Sequence, residues 1–226
     1  PTGVGSFFIT IFVILSFILV PLDWFKCSAL ILTWLMMLTG FLDDRSITSW
    51  GEYKKAILDL LISVIASILL AVYLSKLDPN GKIYFWLPFL THKIYVAPWL
   101  FVIISTIILW TSVNTTNCTD GVDGLSATLV LVALLTIGVI LYFILGHTDI
   151  ASYLLVPHIK DGASWAVMTF CLAGVLMGYL WHNAFPSKCL MGDAGSRALG
   201  FFIGLCVMMS GNPFLLFATS SIIFIN

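Results

Sequence analysis

The sequence predicts an all-α fold, a polytopic transmembrane helix bundle, and three observations carry that expectation. The chain of 226 residues is 60% hydrophobic and 9% charged, with a mean hydropathy of +1.07. A soluble domain carries about 25% charged residues and has too little interior to hide this much apolar surface. The apolar residues gather in runs near bilayer-spanning length, and lipid leaves their backbone no partner but itself, so the runs are helices.

In chain order, Gly5–Leu22 and Trp24–Leu42 are separated only by Asp23, a tight turn between antiparallel helices. Ala56–Leu74 follows Lys54 and Lys55, which open its helix. The connection Lys76–Ala97 holds Pro79-Asn80-Gly81 and then Ile83-Tyr84-Phe85-Trp86, an aromatic stretch suited to a small interfacial hairpin. Pro98–Val113 and Leu125–Leu145 flank a polar segment, and Gly146–Gly162 is a polar cover on the hairpin side. Ala163–Trp181 and Ala194–Ser210 complete seven runs near spanning length. Gly211-Asn212 then turns the chain into Pro213–Ile225, a run too short to cross. Pro1 is no natural start and no cleavage site follows the first run, so both ends read as cut. Residues 1–226 form one integral membrane domain that is expected to continue at both ends.

Charge excludes some functions and leaves orientation open. A net charge of −1 carries no nucleic-acid footprint, which needs a basic patch. The ten Lys and Arg residues divide five against five between the two sides, so the positive-inside rule does not set the orientation. The five cysteines form no CxxC pair and read as small buried hydrophobes.

Three acidic, glycine-punctuated clusters interrupt the apolar pattern: Gly40–Asp44, Asn114–Gly124 and Gly192–Ser196. Each falls at the end of an even-numbered run, so spanning helices bring all three to one face. Asp43, Asp44, Asp120, Asp123 and Asp193, gathered beside lipid, need a cation to stay together, and a cation there points to phosphate chemistry. Asp43 and Asp44 repel each other and stay ionised only beside a metal, Lys or Arg; a solvated helix end is the plain alternative. Asn114, Asn117, Asp120 and Asp123 recur every three residues, which aligns them on one face if the segment is helical. Gly121 and Gly124 let the backbone turn and approach a ligand, and Leu125 opens a helix whose amides favour an anion.

Asp193 sits where a helix N-terminus can present a carboxylate to a metal and free amides to phosphate. Asn183 adds an amide on the same side, and Arg197 can pair with Asp193 or bind phosphate. His182 has no thiolate partner, which argues against zinc. Carboxylate and amide oxygens suit Mg²⁺, or Mn²⁺.

These stretches resemble the polyprenyl-phosphate N-acetylhexosamine-1-phosphate transferases. The match takes in Pro1–Gly5, Gly40–Asp44, Asn114–Leu125, Asn183 with Pro186, and Met191–Ser196 followed by Ala198-Leu199-Gly200. Thr119 before Asp120 favours the branch that takes UDP-MurNAc-pentapeptide over relatives that take UDP-GlcNAc. The resemblance implies ten helices, of which this chain holds about eight, in a bacterial inner membrane. It also implies an active site on the cytoplasmic face, Mg²⁺ and a homodimer. Phospho-MurNAc-pentapeptide would pass to undecaprenyl phosphate, with UMP released. By the same resemblance, Asp193 and Asn117 hold the metal, and Asp43, Asp44, Asp120 and Lys55 are catalytic. Asn114, Asn117, Gly121, Asp123, Asn183 and Leu190 bind substrate.

The chain departs from the family in several places. The first and last helices and a histidine-rich cytoplasmic loop are absent, and the stretch after Asp44 is short. Leu190 stands where a phenylalanine usually meets uracil, and Arg197 replaces a usually apolar residue. A base role for Asp43 gains little, because a phosphomonoester with its second pKa near ~6 is already ionised at neutral pH. Positioning, with metal or lysine, is the better role. An ion-coupled transporter is the rival from another class, but it expects carboxylates at the midplane of two inverted repeats.

Overall fold

The structure, a computed structural model, describes residues 3–46, 50–78, 81–87, 93–121 and 123–219. Pro1-Thr2, the Pro79-Asn80 turn, Val122 and the end of the Pro213–Ile225 run lie outside those residues. Helix α1, Gly5–Leu19, stops where Pro21 biases Val20 toward extended backbone, at φ −113° and ψ 133°. Asp23 opens α2, Trp24–Arg45, by accepting the Lys26 amide at 2.7 Å. Helix α3 is Glu52–Leu77. The expected hairpin follows as β1, Ile83–Phe85, antiparallel to β2, Ile94–Val96, with Tyr84 opposite Tyr95. Pro98 starts α4, Pro98–Thr119, at a position that needs no N–H. Helix α5, Leu125–Val139, runs into a π-helical turn, Ile140–Ile144. The polar cover contains α6, Thr148–Tyr153, and the bundle closes with α7, Gly162–Asn183, and α8, Gly192–Met209.

Five of the described helices are long and apolar enough to cross a membrane: α2, α3, α4, α5 with its π turn, and α7. Two of the seven expected spans differ. Helix α1 has 15 residues, which rise only about 22 Å. Helix α8 is an axis rather than a lipid-facing span, because every residue from Ala194 to Met209 is buried. Large apolar side chains such as Ile18, Ile65, Val132 and Met177 point outward, as lipid contact requires. Of the cysteines only Cys206 is fully buried, and Cys118 is exposed.

Small residues let α4 approach the axis. A Cβ at Gly200 would stand 2.5 Å from the Ser112 carbonyl oxygen, and the Ser112 hydroxyl donates to the Gly200 carbonyl at 2.7 Å. Without a strong hydrophobic drive between helices in lipid, such close contacts carry the association.

The two ends of the bundle are closed differently. At one end Lys26, buried, lies 3.3 Å from Asp23 and 3.7 Å from Asp161, and the Tyr73 hydroxyl bonds to both carboxylates. This ties α2, α3 and α7 together on the hairpin side. The other end gathers the acidic clusters.

Gly200→Ala is expected to wedge α4 from α8 and destabilise the protein by about 1–3 kcal/mol. Gly174→Ala, where a Cβ meets nothing within 4 Å, is expected to be neutral or slightly stabilising. Melting in detergent checks the pair, and equal losses would remove the close-approach explanation.

Candidate active site

Sequence parity brings the clusters to one end, and a lysine joins the first to the third there. Asp43 leaves the last turn of α2 with its carboxylate buried. One oxygen accepts the Trp50 amide at 2.7 Å, and the other lies 2.7 Å from Lys55 Nζ. The same ammonium stands 3.2 Å from Asp193 Oδ2 and 3.7 Å from the exposed Glu52. Lys55 therefore bridges the end of α2 and the start of α8. Lys54 does not share this role: its ammonium sits 3.6 Å above the Trp50 ring.

Asp44 takes a position that its motif alone does not indicate. Its two oxygens accept the amides of Asp193 and Ala194, each at 3.2 Å, so the first amides of α8 are occupied rather than free for phosphate. Gly40, one turn earlier on α2, has no side chain to strike the Asp193 carbonyl, and that permits the approach. Gly192 must also stay a glycine, because its φ is +67° and a Cβ would press on the Asp44 carboxylate. Val4 and Gly5 donate to the carbonyls of Leu190 and Met191 at 3.2 and 3.1 Å, which anchors the loop that delivers Asp193.

The second cluster is only partly helical. Helix α4 ends at Thr119, so Asn114 and Asn117 lie on it while Asp120 and Asp123 come from the turn beyond. Two glycines within five residues end the helix and overturn the single-face alignment of all four. Asn114 bonds back to the Trp110 carbonyl at 2.7 Å. Asn117 accepts the Ser196 hydroxyl at 2.6 Å, which fixes its amide beside α8. Asp120 has no side-chain hydrogen bond or ion pair among the described residues. Burial, and then the charges of Asp193 and Asp44, push its carboxyl up to about 6.

Asp123, Asn183 and Leu190 form a neighbouring group. Buried Asn183 accepts the Gly124 amide at 3.0 Å and donates to the Cys189 carbonyl at 2.9 Å, so it clips the α4–α5 turn to the loop before α8. That clip spends the Gly124 amide, so the start of α5 is less open to an anion than expected. Asp123 accepts the Ser187 amide at 3.3 Å, Leu190 is exposed, and Gly121 borders open space.

Arg197 pairs with Asp59, not with Asp193. Both are buried, and Arg197 Nε donates to Asp59 Oδ1 at 3.1 Å. A side chain one turn into a helix packed on all sides meets α3 rather than the solvent end. The motif pattern passes over Asp59, although a carboxylate inside an apolar run, four residues after Lys55, is a functional signal by itself. Removing either partner would strand a buried charge at about 3–5 kcal/mol.

The donor set suits a hard cation of limited demand. Among the described residues no three of His, Cys, Asp and Glu stand close enough to hold a metal alone. Mg²⁺ asks for less, since it keeps several waters and uses one or two carboxylates plus substrate phosphates. The unpaired Asp120, repelled by two other carboxylates, is the observation that fits such a charge.

The Asp120 carboxyl makes stability depend on pH. Its folded pKa lies above the ordinary carboxylate value of 3.8, so ionisation penalises the folded state. The penalty is absent below about 4, grows as pH rises through the window to about 6, and is full above it. In metal-free protein Asp120→Asn is expected to melt higher than wild type at pH 7.5, with the gap closing toward pH 4. A gap independent of pH would contradict the assignment.

The model of glycosyl transferase family 4 matches residues 27–211. A phospho-N-acetylmuramoyl-pentapeptide-transferase of Treponema pallidum (strain Nichols) is 53% identical over 226 residues, all of this chain and 61% of its own. Proteins of the same name from Campylobacter jejuni (strain RM1221) and Nautilia profundicola are 34% and 31% identical, over 96% of this chain and 62% of theirs. The chain thus spans about three fifths of the length of the curated relatives it matches.

Proposed function

The chain belongs to glycosyl transferase family 4, and from that premise we propose that its protein transfers phospho-MurNAc-pentapeptide from UDP-MurNAc-pentapeptide to undecaprenyl phosphate. The products are the lipid-linked pyrophosphoryl sugar, lipid I, and UMP. The acceptor phosphate oxygen forms a bond to the β-phosphorus while the bond to the α-phosphate oxygen breaks and UMP leaves with the electron pair. One observation carries the reading: Lys55, shared by Asp43 and Asp193, unites two of the acidic motifs at one end of a membrane bundle, and Asp120 of the third lies close enough to feel the charge of Asp193.

Two anions must meet, so charge control dominates the chemistry. Mg²⁺, held through Asp193 with Asn117 and Asp120 alongside, would supply neutralisation and polarisation of phosphate oxygens. Lys55 keeps Asp43 and Asp193 from repelling each other and offers its positive charge to the incoming phosphates. Asp43, with both oxygens already bonded to Lys55 and Trp50, positions that lysine and needs no proton from the acceptor. Asp44 fixes the start of α8, which orients Asp193. Asn183 shapes the uridine pocket by holding Gly124, leaving Asp123, Leu190 and the Gly121 backbone beside the nucleotide. The same proposal places the protein in a bacterial inner membrane, with this end cytoplasmic and with a second copy as partner.

The full-length protein in liposomes, supplied with undecaprenyl phosphate and Mg²⁺, tests the reading by UMP release. UDP-MurNAc-pentapeptide is expected to turn over and UDP-GlcNAc to be inert. Asp193→Asn should lower turnover roughly 10²-fold and weaken the Mg²⁺ dependence. Turnover of UDP-GlcNAc alone would assign the sister reaction, and no UMP from either would refute the proposal.

A further inference from the structure

At the hairpin end lies a cavity of about 350 Å³ that the transfer reaction does not use. It opens between the last turn of α3, the β1–β2 hairpin, the segment after α6 and the end of α8. Sites for small ligands begin near ~300 Å³. Lys82, Lys93, Lys160 and His158 line it against one carboxylate, Asp78. Among the described residues no carboxylate lies within 4.0 Å of any of the three lysine ammonium groups.

Aromatic rings hold two of these lysines instead. Lys93 stands 4.1 Å over Tyr84 and Lys82 5.5 Å over Tyr95, the two tyrosines paired across the hairpin. A ring face orients an ammonium group without cancelling its charge. Helix ends are not what the lysines serve. Trp86 already donates to the Ser210 and Gly211 carbonyls at 2.7 and 3.1 Å, and the Asp78 amide closes α3 on Leu74 at 3.4 Å.

The positive charge therefore gathers at the exposed rim of the cavity, whose other wall is apolar, from Leu74, Leu77 and Met209. We infer that this cavity binds the phosphate headgroup of an anionic membrane lipid, at a site separate from the catalytic end. A free phosphate shares the lysine chemistry, but it makes no use of an apolar wall where α3 leaves its span.

The test titrates full-length protein in detergent with phosphatidylglycerol or phosphatidylcholine and counts bound lipid by native mass spectrometry. Phosphatidylglycerol is expected to bind preferentially. Lys82→Gln with Lys93→Gln and Lys160→Gln should weaken it about tenfold or more, while Arg45→Gln with Lys54→Gln and Lys188→Gln stays within about twofold. Equal binding by wild type and the hairpin-end variant would overturn the site. Displacement by glycerophosphate at equal concentration would assign it to a soluble anion and overturn the lipid. Should the variant fail to fold, lysine acetylation of wild type decides. Lys82, Lys93 and Lys160 are expected to be protected about threefold relative to Lys188 in phosphatidylglycerol bicelles over phosphatidylcholine ones. Uniform labelling would contradict the inference.

Discussion

Lys55 is shared by two carboxylates that arrive on different helices, and the candidate active site depends on that sharing. Asp43 ends α2, Asp193 begins α8, and the ammonium between them belongs to α3. Two like charges about 4 Å apart at a protein surface repel by about 4 kcal/mol. Without Lys55 the ends of α2 and α8 would therefore push apart. With it, each carboxylate gains a partner at 2.7 or 3.2 Å, and the three segments hold one arrangement. Asp120 is left outside this pairing, which is why it is the group that most wants a further cation.

The bundle supports the site from within. Because α8 is enclosed along its length, its first turn can shift only if the helices around it shift too. The Arg197–Asp59 pair crosses from α8 to α3 one turn below Lys55, so the same two helices are joined twice. Asp44 adds a third tie by closing on the first α8 amides. A ligand arriving here meets side chains whose positions are set before it binds, as charge stabilisation of a transferred phosphoryl group requires.

Much of this is legible in the chain. Run length and composition locate the helices, and the parity of their ends places Asp43, Asp120 and Asp193 together. Three things are not legible, each for a physical reason. The enclosed position of α8 is hidden because an axial helix and a lipid-facing one are both apolar. The pairing of Asp59 with Arg197 is hidden because the two lie 138 residues apart. The occupation of the α8 amides by Asp44 depends on how closely α2 approaches, which Gly40 permits but cannot announce. Asn183 stands out in the sequence as a polar site residue, yet its clip on Gly124 is a tertiary fact.

A double-mutant cycle of Lys55→Met and Asp193→Asn, read as melting stability of the metal-free protein, addresses the shared ammonium most directly. Each single change should destabilise, and the pair together should lose clearly less than the sum, with a coupling of about 1–3 kcal/mol. Strict additivity would contradict it, because it would mean that Lys55 does not hold α8 to α2.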